Sequence, residues 1–193
     1  EYLVNIANHN NIPTIQSIFD YDNSDDILRI FKQKFDLVMA NNVFNHSDNP
    51  LSFSMGVNNI LKDGGFFVFE VPYWKSTIDS HKIDQIYHEH VSYFTAMSVK
   101  NIMEKNSFEI CNIKVVDYHG GSLRVYARKS TSKINHCQEL FDLIRNENYL
   151  YSKDTYLLLN DRIREKKLTF LSDIYDIKNN KNVPIIAIGA AAK

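Results

Sequence analysis

The side chains best suited to chemistry are concentrated in residues 70–94, EVPYWKSTIDSHKIDQIYHEHVSYF. This stretch holds two Asp, two Glu, three His, three Tyr and the only Trp of the 193-residue chain. In its YHEH segment, a histidine beside a carboxylate makes a workable general base. An extended backbone would put His88 and His90 on one face, whereas a helical turn would make Tyr87 and His90 neighbours. A His-x-His metal site and a polar loop with satisfied histidines are the two competing interpretations.

A second polar group follows residues 35–40, FDLVMA, an apolar run that predicts a strand covered on both faces. Asn41, Asn42 and His46 come directly after it, at the edge where open α/β sheets bind ligands. Paired amides there can bind a zwitterionic cofactor tail, and His46 can act as an acid or base. Turn-forming asparagines and a surface histidine are the alternative.

Three weaker candidates lie elsewhere in the chain. Glu1 precedes the first predicted helix, where an acid at a strand end would bind a ribose diol, although position alone, without the preceding sequence, favours an ordinary exposed glutamate at a helix start. In HGGSLR the glycines permit the positive φ of a tight hairpin, and His119 and Arg124 are candidate substrate contacts. GAAAK ends in Lys193, which together with backbone N–H groups would bind a phosphate.

Strands and helices alternate along the chain, which predicts a parallel sheet with helices on both faces. The predicted helices are residues 1–9, residues 25–32 capped by Ser24, one starting at Asn49 and Pro50, and one capped by Thr95. The predicted strands are residues 14–19, 35–40, 66–71, 108–117 and 122–129.

The last two strands are joined by only four residues, YHGG, which is too short for a parallel crossover. They should therefore form an antiparallel hairpin. A mostly parallel sheet that ends in such a hairpin is typical of class I methyltransferases, whereas a dinucleotide-binding Rossmann sheet usually stays parallel to its edge. The predicted fold class is an α/β protein with a class I methyltransferase (Rossmann-like) sheet.

Composition restricts the function classes. With 44% hydrophobic residues and a formal net charge of -1, the chain can bury a core but lacks the basic excess of a nucleic-acid binder. No apolar run approaches the roughly 20 residues of a membrane span. Cys111 and Cys137 lie far apart, as expected of reduced, partly buried thiols. We therefore expect a cytoplasmic protein with no nucleic-acid or membrane partner, and the oligomeric state stays open.

The chain starts without Met in the middle of an α/β pattern, and it ends just after an apolar run and a small-residue turn, so we expect a fragment truncated at both ends. Residues 1–130 are predicted to be part of a methyltransferase domain. Residues 131–182 are predicted to be a helical linker. Residues 183–193, VPIIAIGAAAK, are predicted to begin a second α/β domain with a short strand.

Taken together, the motifs resemble the S-adenosylmethionine-dependent C-methyltransferases that act on nucleotide-linked keto-deoxysugars. The matching segments are E-x-x-x-N-x-A with the later IPT, then ANNVFNH, EVPY, IYHEHVSYF, HGGSLRVYA and GAAAK. They occur in the family's order and cover nearly the whole chain. The pair IYHEHVSYF and HGGSLRVYA is the most specific part of the match. One departure is Tyr2, where the family often has Pro.

The resemblance implies a three-part enzyme with an N-terminal zinc-binding domain, a central methyltransferase domain and a C-terminal α/β domain that helps hold the nucleotide sugar. Zinc is expected only in the N-terminal domain, which is missing here, as is the glycine-rich turn that cradles the methionine part of the cofactor. No metal site is expected in this chain. The implied cofactor is S-adenosylmethionine, and the implied substrate is a nucleotide-linked sugar.

The resemblance also implies roles for single residues. His90 would remove a proton next to the sugar ketone, with Glu89 and Tyr87 orienting it or steadying the enolate oxygen, and His46 is the rival base. The remaining implied contacts are Glu1 to the ribose, Ile18 and Phe19 to the adenine, Asn41 to the methionine moiety, His119 and Arg124 to the substrate, and Lys193 to the diphosphate.

Three other functions stay open on the sequence. An O- or N-methyltransferase on the same fold would need no base for a carbon acid. A non-catalytic nucleotide-sugar binder or scaffold would keep the fold without the reaction. A metal hydrolase using His88, His90 and Glu89 would bind metal stoichiometrically.

Overall fold

A sheet with the strand order β1-β2-β4-β3 lies at the centre of the computed structural model of the protein, which describes residues 1–180 and 183–186. The strands are β1 (Phe35–Asn41), β2 (Leu61–Pro72), β3 (Phe108–Val116) and β4 (Ser122–Lys129). β1 and β2 run parallel, and β4 runs antiparallel to both of its neighbours. The predicted α/β sheet with a terminal antiparallel hairpin is confirmed.

Helices connect and flank these strands. They are α1 (Tyr2–His9), α2 (Ser24–Phe31), α3 (Pro50–Ile60), α4 (Trp74–Asp79), α5 (Ala96–Lys105), α6 (Gln138–Asn146) and α7 (Lys153–Asn180). Short 3-10 helices occupy Phe44–His46, Ile83–Gln85 and Asn148–Tyr151. α4 was not predicted, because its six residues are too few to show a helical period.

The predicted helix starts of α3 and α5 are confirmed by their caps. The side chain of Asn49 accepts a hydrogen bond from the Ser52 N–H, with Pro50 in the first turn. Thr95 and Ser98 form a reciprocal capping box at the start of α5. The helix predicted at residues 25–32 is also observed, although Asn23 rather than Ser24 is the residue before its first turn.

The core lies between one face of the sheet and helices α3 and α5. Every second residue of β4 points into it and is fully buried, namely Leu123, Val125 and Ala127, as their alternation predicts. Phe44, which follows β1, stacks on Phe94, which precedes α5, with 5.2 Å between ring centroids. This stack holds the segment after β1 beside the segment before α5.

Two structural expectations were wrong. Residues 14–19 form no strand, since they make no ladder hydrogen bonds with β1 or with any other described strand. β1 is covered on one face only, since Leu37 and Met39 on its other face are 48% and 61% exposed. No strand is observed at residues 183–186, and the rest of the segment predicted to begin with a strand lies outside the described residues, so that strand stays a prediction.

The two helices predicted between the domains correspond to α6 and α7. α7 packs on α4 through a small cluster of Ile78, Leu150 and Leu159, and the indole N–H of Trp74 donates to the hydroxyl of Tyr156 at 3.1 Å. None of the helices within the described ranges is long and apolar enough to cross a membrane. Cys111 and Cys137 are free and half-buried, as predicted.

A buried histidine connects the segment before α6 to β3 and α5. The Nδ1 of His136 accepts the N–H of Ile110 at 3.0 Å, so its Nε2 carries the proton and faces Glu104 at 3.1 Å. Burial lowers the pKa of His136 below its ordinary value, against the opposing pull of Glu104. The folded chain therefore resists protonation of this ring.

We expect the free energy of unfolding to fall as the pH drops below about 6.5, because the unfolded chain takes up a proton that folded His136 resists. His136→Asn keeps an acceptor for the Ile110 N–H but cannot titrate, so its stability should depend less on pH between about 5 and 7. Urea denaturation at a series of pH values measures both slopes. If the free energy of unfolding depends on pH equally in the wild type and in His136→Asn, the assignment of His136 as the titrating group is contradicted.

Candidate active site

The candidate site begins where β1 and β2 end. Because these strands are parallel, their carboxyl ends meet at one edge, with Asn41 opposite Glu70. Asn42 turns the chain away with a φ of 52°, and its N–H donates to the Glu70 carbonyl at 3.0 Å. Open α/β sheets bind ligands at this kind of edge, as predicted for these asparagines.

Residues 74–93, which we call the site loop, leave the sheet at this edge and return to it. An isolated parallel bridge joins Tyr73 to Phe94 across the base of the loop, and the Trp74 N–H donates to the Phe94 carbonyl at 2.9 Å. Further along, the Ser92 N–H donates to the carbonyl of Asn45 at 3.2 Å. The loop is therefore fastened both at its base and to the segment that follows β1.

Tyr87 and His90 meet within the site loop. The His90 N–H donates to the Tyr87 carbonyl at 3.0 Å, which closes a turn and brings their ring centroids to 4.3 Å. Of the two arrangements considered for YHEH, the structure has the one that makes these two residues neighbours. The Tyr87 hydroxyl lies 3.1 Å from Nε2 of His90.

The partners of His90 define its neutral tautomer. Its Nδ1 lies 2.9 Å from the carbonyl oxygen of Gln85, and a carbonyl oxygen can only accept a hydrogen bond. In the neutral ring, Nδ1 therefore carries the hydrogen and Nε2 carries the lone pair, to which the Tyr87 hydroxyl donates. Nε2 is the basic atom of this pair.

His46 reaches the same place from the connection between β1 and α3. Its Nδ1 lies 2.7 Å from the carbonyl oxygen of Glu89, so its Nε2 is likewise the basic atom of the neutral ring. The ring centroids of His46 and His90 are 5.1 Å apart. The two residues predicted as rival bases therefore lie side by side.

Glu89 and His88 lie on the exposed side of this turn. Glu89 contributes its backbone carbonyl to His46, and the orienting contact at Nδ1 of His90 comes from Gln85, which the sequence did not single out. The role predicted for the Glu89 carboxylate stays a prediction. Among the described residues no group of three His, Cys, Asp or Glu side chains is arranged to hold a metal ion.

A cleft of about 710 Å³ opens beside His46. Ile18 and Phe19 form one part of its lining, and Val43 and Ser47 lie on the side of His46. Ile18 is 85% exposed, whereas Phe19 is anchored edge-on against the ring of Phe53 at 5.0 Å. The two residues predicted to flank an adenine thus share a cleft with a candidate base.

Just after β1, the described part of the chain has buried amide atoms without a partner. Within the described residues, Oδ1 of Asn42 and both amide atoms of Asn45 are buried without a hydrogen-bond partner, and Asn45 is 0% exposed. An unsatisfied buried polar group costs about 1–3 kcal/mol, so such groups mark places where a ligand or water binds. Amide donors and acceptors at this edge fit the charged tail of an amino-acid-like cofactor.

A second cleft, of about 580 Å³, lies where the β3–β4 turn meets the carboxyl ends of β1 and β2. Asn41, His119 and Arg124 all line it. The guanidinium of Arg124 donates to the buried carboxylate of Glu70, which raises the pKa of Arg124. Arg124 therefore enters this cleft as half of an ion pair rather than as an isolated cation.

The turn beside that cleft is constrained. His119, Gly120 and Gly121 have φ values of 49°, 82° and 115°. A Cβ on Gly121 would lie 2.5 Å from the Cβ of Ser76, so this glycine is needed both for its backbone conformation and for its close approach to α4. The carbonyl of Gly121 accepts the Tyr73 N–H at 3.0 Å, which ties the turn to the base of the site loop.

Two predicted site residues lie away from these clefts. Glu1 is exposed, precedes α1 without a side-chain capping bond, and lines neither cleft described above. Lys193 lies outside the described residues. The structure therefore brings together Tyr87, His90 and His46, and it places Asn41, His119 and Arg124 around a neighbouring cleft.

Comparison with known proteins identifies the family. Residues 3–113, more than half of the chain, match the methyltransferase domain family, and residues 117–193 match the C-methyltransferase C-terminal domain family. The chain belongs to the S-adenosylmethionine-dependent methyltransferases. At the level of the family, the C-methyltransferase resemblance predicted from the motifs is confirmed.

One curated relative is the C-methyltransferase NovU from Streptomyces niveus. It is 30% identical to the chain over 125 residues, which are 65% of the chain. The chain spans only 30% of the length of that relative.

Solved methyltransferase structures also resemble the chain. A possible histamine N-methyltransferase from Thermotoga maritima has a TM-score of 0.49 at 15% identity, covering 67% of this chain and 70% of its own. The magnesium protoporphyrin IX methyltransferase of Synechocystis PCC 6803, with bound S-adenosylhomocysteine, has a TM-score of 0.40 at 13% identity, covering 51% of this chain and 46% of its own. Both scores are low, so the fold assignment depends on strand order and register.

Several residues of the site were missed by the sequence analysis. Asn45 lies inside the quoted motif ANNVFNH, yet nothing in the sequence marks it as buried. Gln85 acts through its backbone carbonyl, which any residue possesses. Glu70 opens the motif EVPY, and its partner Arg124 was already a candidate, so their opposite charges at two strand ends were the one available signal.

We expect Asn45→Ala to leave the free energy of unfolding unchanged or to raise it by about 1 kcal/mol, because two unpartnered polar atoms leave the interior. Ser54→Ala is the matched control: Ser54 is also fully buried, but its hydroxyl donates to the Leu51 carbonyl at 3.1 Å and accepts from the Asn106 amide at 2.5 Å, so its loss should cost about 1–2 kcal/mol. Urea denaturation compares the two. If Asn45→Ala lowers the free energy of unfolding as much as Ser54→Ala does, the Asn45 amide has hydrogen-bond partners in solution.

Proposed function

We propose that the complete protein is an S-adenosylmethionine-dependent C-methyltransferase that methylates the carbon next to a ketone of a nucleotide-linked deoxysugar. The observation that carries this proposal is the hydrogen-bonded pair of Tyr87 and His90, in which the basic Nε2 is defined by the Gln85 carbonyl. Similarity to the C-methyltransferase NovU and to the C-methyltransferase C-terminal domain supports a carbon acceptor.

Carbon methylation needs a base that removes a proton from carbon, whereas oxygen or nitrogen methylation needs no such base. A C–H bond next to a ketone is acidic enough for a positioned base to break, and its electron pair then forms an enolate. Nε2 of His90 would take the proton, and the Tyr87 hydroxyl, 3.1 Å from it, can turn towards the developing enolate oxygen. Glu89, the residue before His90 in the chain, is proposed to help orient the ring.

S-adenosylmethionine, when bound, supplies an electrophilic methyl group and leaves as a neutral thioether. We propose that Ile18 and Phe19 flank its adenine, that Asn41 lies near its methionine moiety, and that Glu1 binds its ribose hydroxyls. The exposed apolar surface of Ile18 in the cleft beside His46 supports the first assignment. The unpartnered amides of Asn42 and Asn45 support a polar ligand at the edge of the sheet.

The substrate would approach from the second cleft. His119 and the Arg124–Glu70 pair line it together with Asn41, which would put sugar and cofactor contacts on adjoining residues. As a neutralised pair, Arg124 and Glu70 suit hydroxyl groups better than a diphosphate. We keep Lys193 as the proposed diphosphate contact.

We further propose the division of the chain given by its motifs. Residues 1–130 belong to the methyltransferase domain, which includes β4 because that strand pairs with both β2 and β3. Residues 131–182 form the helical linker, and residues 183–193 start a C-terminal domain. The proposed enzyme is cytoplasmic.

The choice between His90 and His46 can be tested by proton exchange. In the complete protein, in deuterated water with S-adenosylhomocysteine and a nucleotide-linked keto-deoxysugar, the wild type should exchange the proton next to the ketone. His90→Asn should slow this exchange by about 100-fold or more, because it removes the base. His46→Asn should retain exchange within about tenfold. NMR measures the rates.

Exchange at the wild-type rate in His90→Asn would refute the assignment, and a loss confined to His46→Asn would transfer the role to His46. If the wild-type protein transfers a methyl group without any exchange, the enzyme is an O- or N-methyltransferase. S-adenosylhomocysteine binding to each variant serves as the control for folding.

The cofactor assignment predicts a selective effect at Ile18. Ile18→Ser should weaken S-adenosylhomocysteine binding to the complete protein about five- to twentyfold, because burying that side chain against the adenine contributes about 1–2 kcal/mol. Ile12→Ser is the matched control, since Ile12 is also exposed but lines neither cleft. Calorimetry measures both affinities, and equal effects would exclude an adenine contact at Ile18.

A further inference from the structure

One buried carboxylate stands out from the residues used so far. Glu147, directly after α6, is 0% exposed and belongs to no sequence motif. Its Oε2 accepts the Tyr73 hydroxyl at 3.0 Å and the Ala96 N–H at 2.8 Å, and its Oε1 accepts the Met97 N–H at 2.8 Å. We call these three hydrogen bonds the Glu147 clamp.

The clamp binds both ends of the site loop. Tyr73 is the last residue before the loop, and Ala96 and Met97 form the first turn of α5 just after it. A carboxylate is suited to this position, because the N–H groups of a helix N-terminus are unpaired and attract negative charge. A single side chain from a distant segment therefore reinforces the backbone bridge between Tyr73 and Phe94 that already joins the two ends of the loop.

Glu147 is itself held in place by the core. α6 packs on β3 and α5 and inserts Leu140, which is fully buried. The Glu147 N–H continues the helix by donating to the Leu143 carbonyl at 3.1 Å, and its own carbonyl accepts the Leu150 N–H at 2.9 Å. The position of α6 is thus transmitted to the base of the site loop through one rigid residue.

The clamp specifies geometry more than it adds stability. A buried carboxylate loses its hydration, and the three donors of the clamp repay that loss only while all of them stay in place. Burial and the neighbouring carboxylate raise the pKa of Tyr73, so its hydroxyl remains a hydrogen-bond donor at any physiological pH. Displacing either end of the loop would leave a buried charge short of a partner.

We propose that Glu147 is a positioning residue that, through the ends of the site loop, sets the place of Tyr87 and His90 beside His46. The inference rests on the proposed function. It also assigns a role in the reaction to the helical segment after β4, which otherwise would only connect domains.

The test uses the complete protein with three variants. Glu147→Gln keeps the volume but replaces one acceptor oxygen with a donor that faces a backbone N–H. Tyr73→Phe removes only the hydroxyl and leaves the bonds to α5 intact, so it serves as the milder variant if Glu147→Gln folds poorly. Glu139→Gln, an exposed glutamate on the same helix, is the matched control.

Two readouts separate positioning from folding. The first is kcat calculated per S-adenosylhomocysteine-binding site, so that unfolded molecules are not counted. Proton exchange next to the ketone is measured on the same samples. The second is hydrogen–deuterium exchange of the backbone amides of residues 84–93. We expect Glu147→Gln to lower kcat for each site about tenfold or more and to speed amide exchange in this segment, with a smaller effect for Tyr73→Phe and none for Glu139→Gln.

Unchanged kcat for each site, or unchanged amide exchange in residues 84–93, in folded Glu147→Gln and Tyr73→Phe would overturn the inference. A wild-type protein that shows no exchange next to the ketone would instead overturn the proposed function. The amide exchange measurement still decides, in that case, whether Glu147 positions the loop.

Discussion

The arrangement of the candidate site depends on the buried carboxylate of Glu147. It accepts hydrogen bonds from Tyr73 at the end of β2 and from the first turn of α5, so it fixes the two points between which the site loop must run. Helix α5 and strand β2 belong to the core, and their positions are set by burial of their apolar faces. Within the loop, α4 packs on α7 through Ile78. Around YHEH, Ile86 and Val91 are 47% and 51% exposed, so this part of the loop takes its place from the ends of the loop and from a few backbone hydrogen bonds.

These backbone bonds explain how an irregular loop can hold a defined chemical group. Gln85 and Glu89 contribute carbonyl oxygens to Nδ1 of His90 and of His46, which leaves both basic Nε2 atoms on the opposite sides of their rings. Below them, the stack of Phe44 on Phe94 joins the segment after β1 to the end of the loop. The segment after β1 and the site loop are therefore coupled.

The sequence predicted those parts of the structure that local patterns encode. The caps at Asn49 and Thr95, the hairpin and the alternation along β4 all depend on residues close together in the chain. The strand predicted at residues 14–19 was wrong because a strand exists only beside a hydrogen-bonded neighbour, which an apolar run cannot supply. Glu147 was missed because its partner Tyr73 lies 74 residues away and no spacing rule connects them. The same holds for Asn45, whose burial follows from tertiary packing alone.

The most direct test of this account is the tautomer of His90 in the complete protein, measured by nitrogen-15 NMR of labelled imidazoles with His90→Asn used for assignment. The account predicts that the neutral ring of His90 carries its hydrogen on Nδ1, with Nε2 as the hydrogen-bond acceptor, because the Gln85 carbonyl can only accept. A ring that carries its hydrogen on Nε2 would have no lone pair beside Tyr87 and would contradict the assignment of His90 as the base.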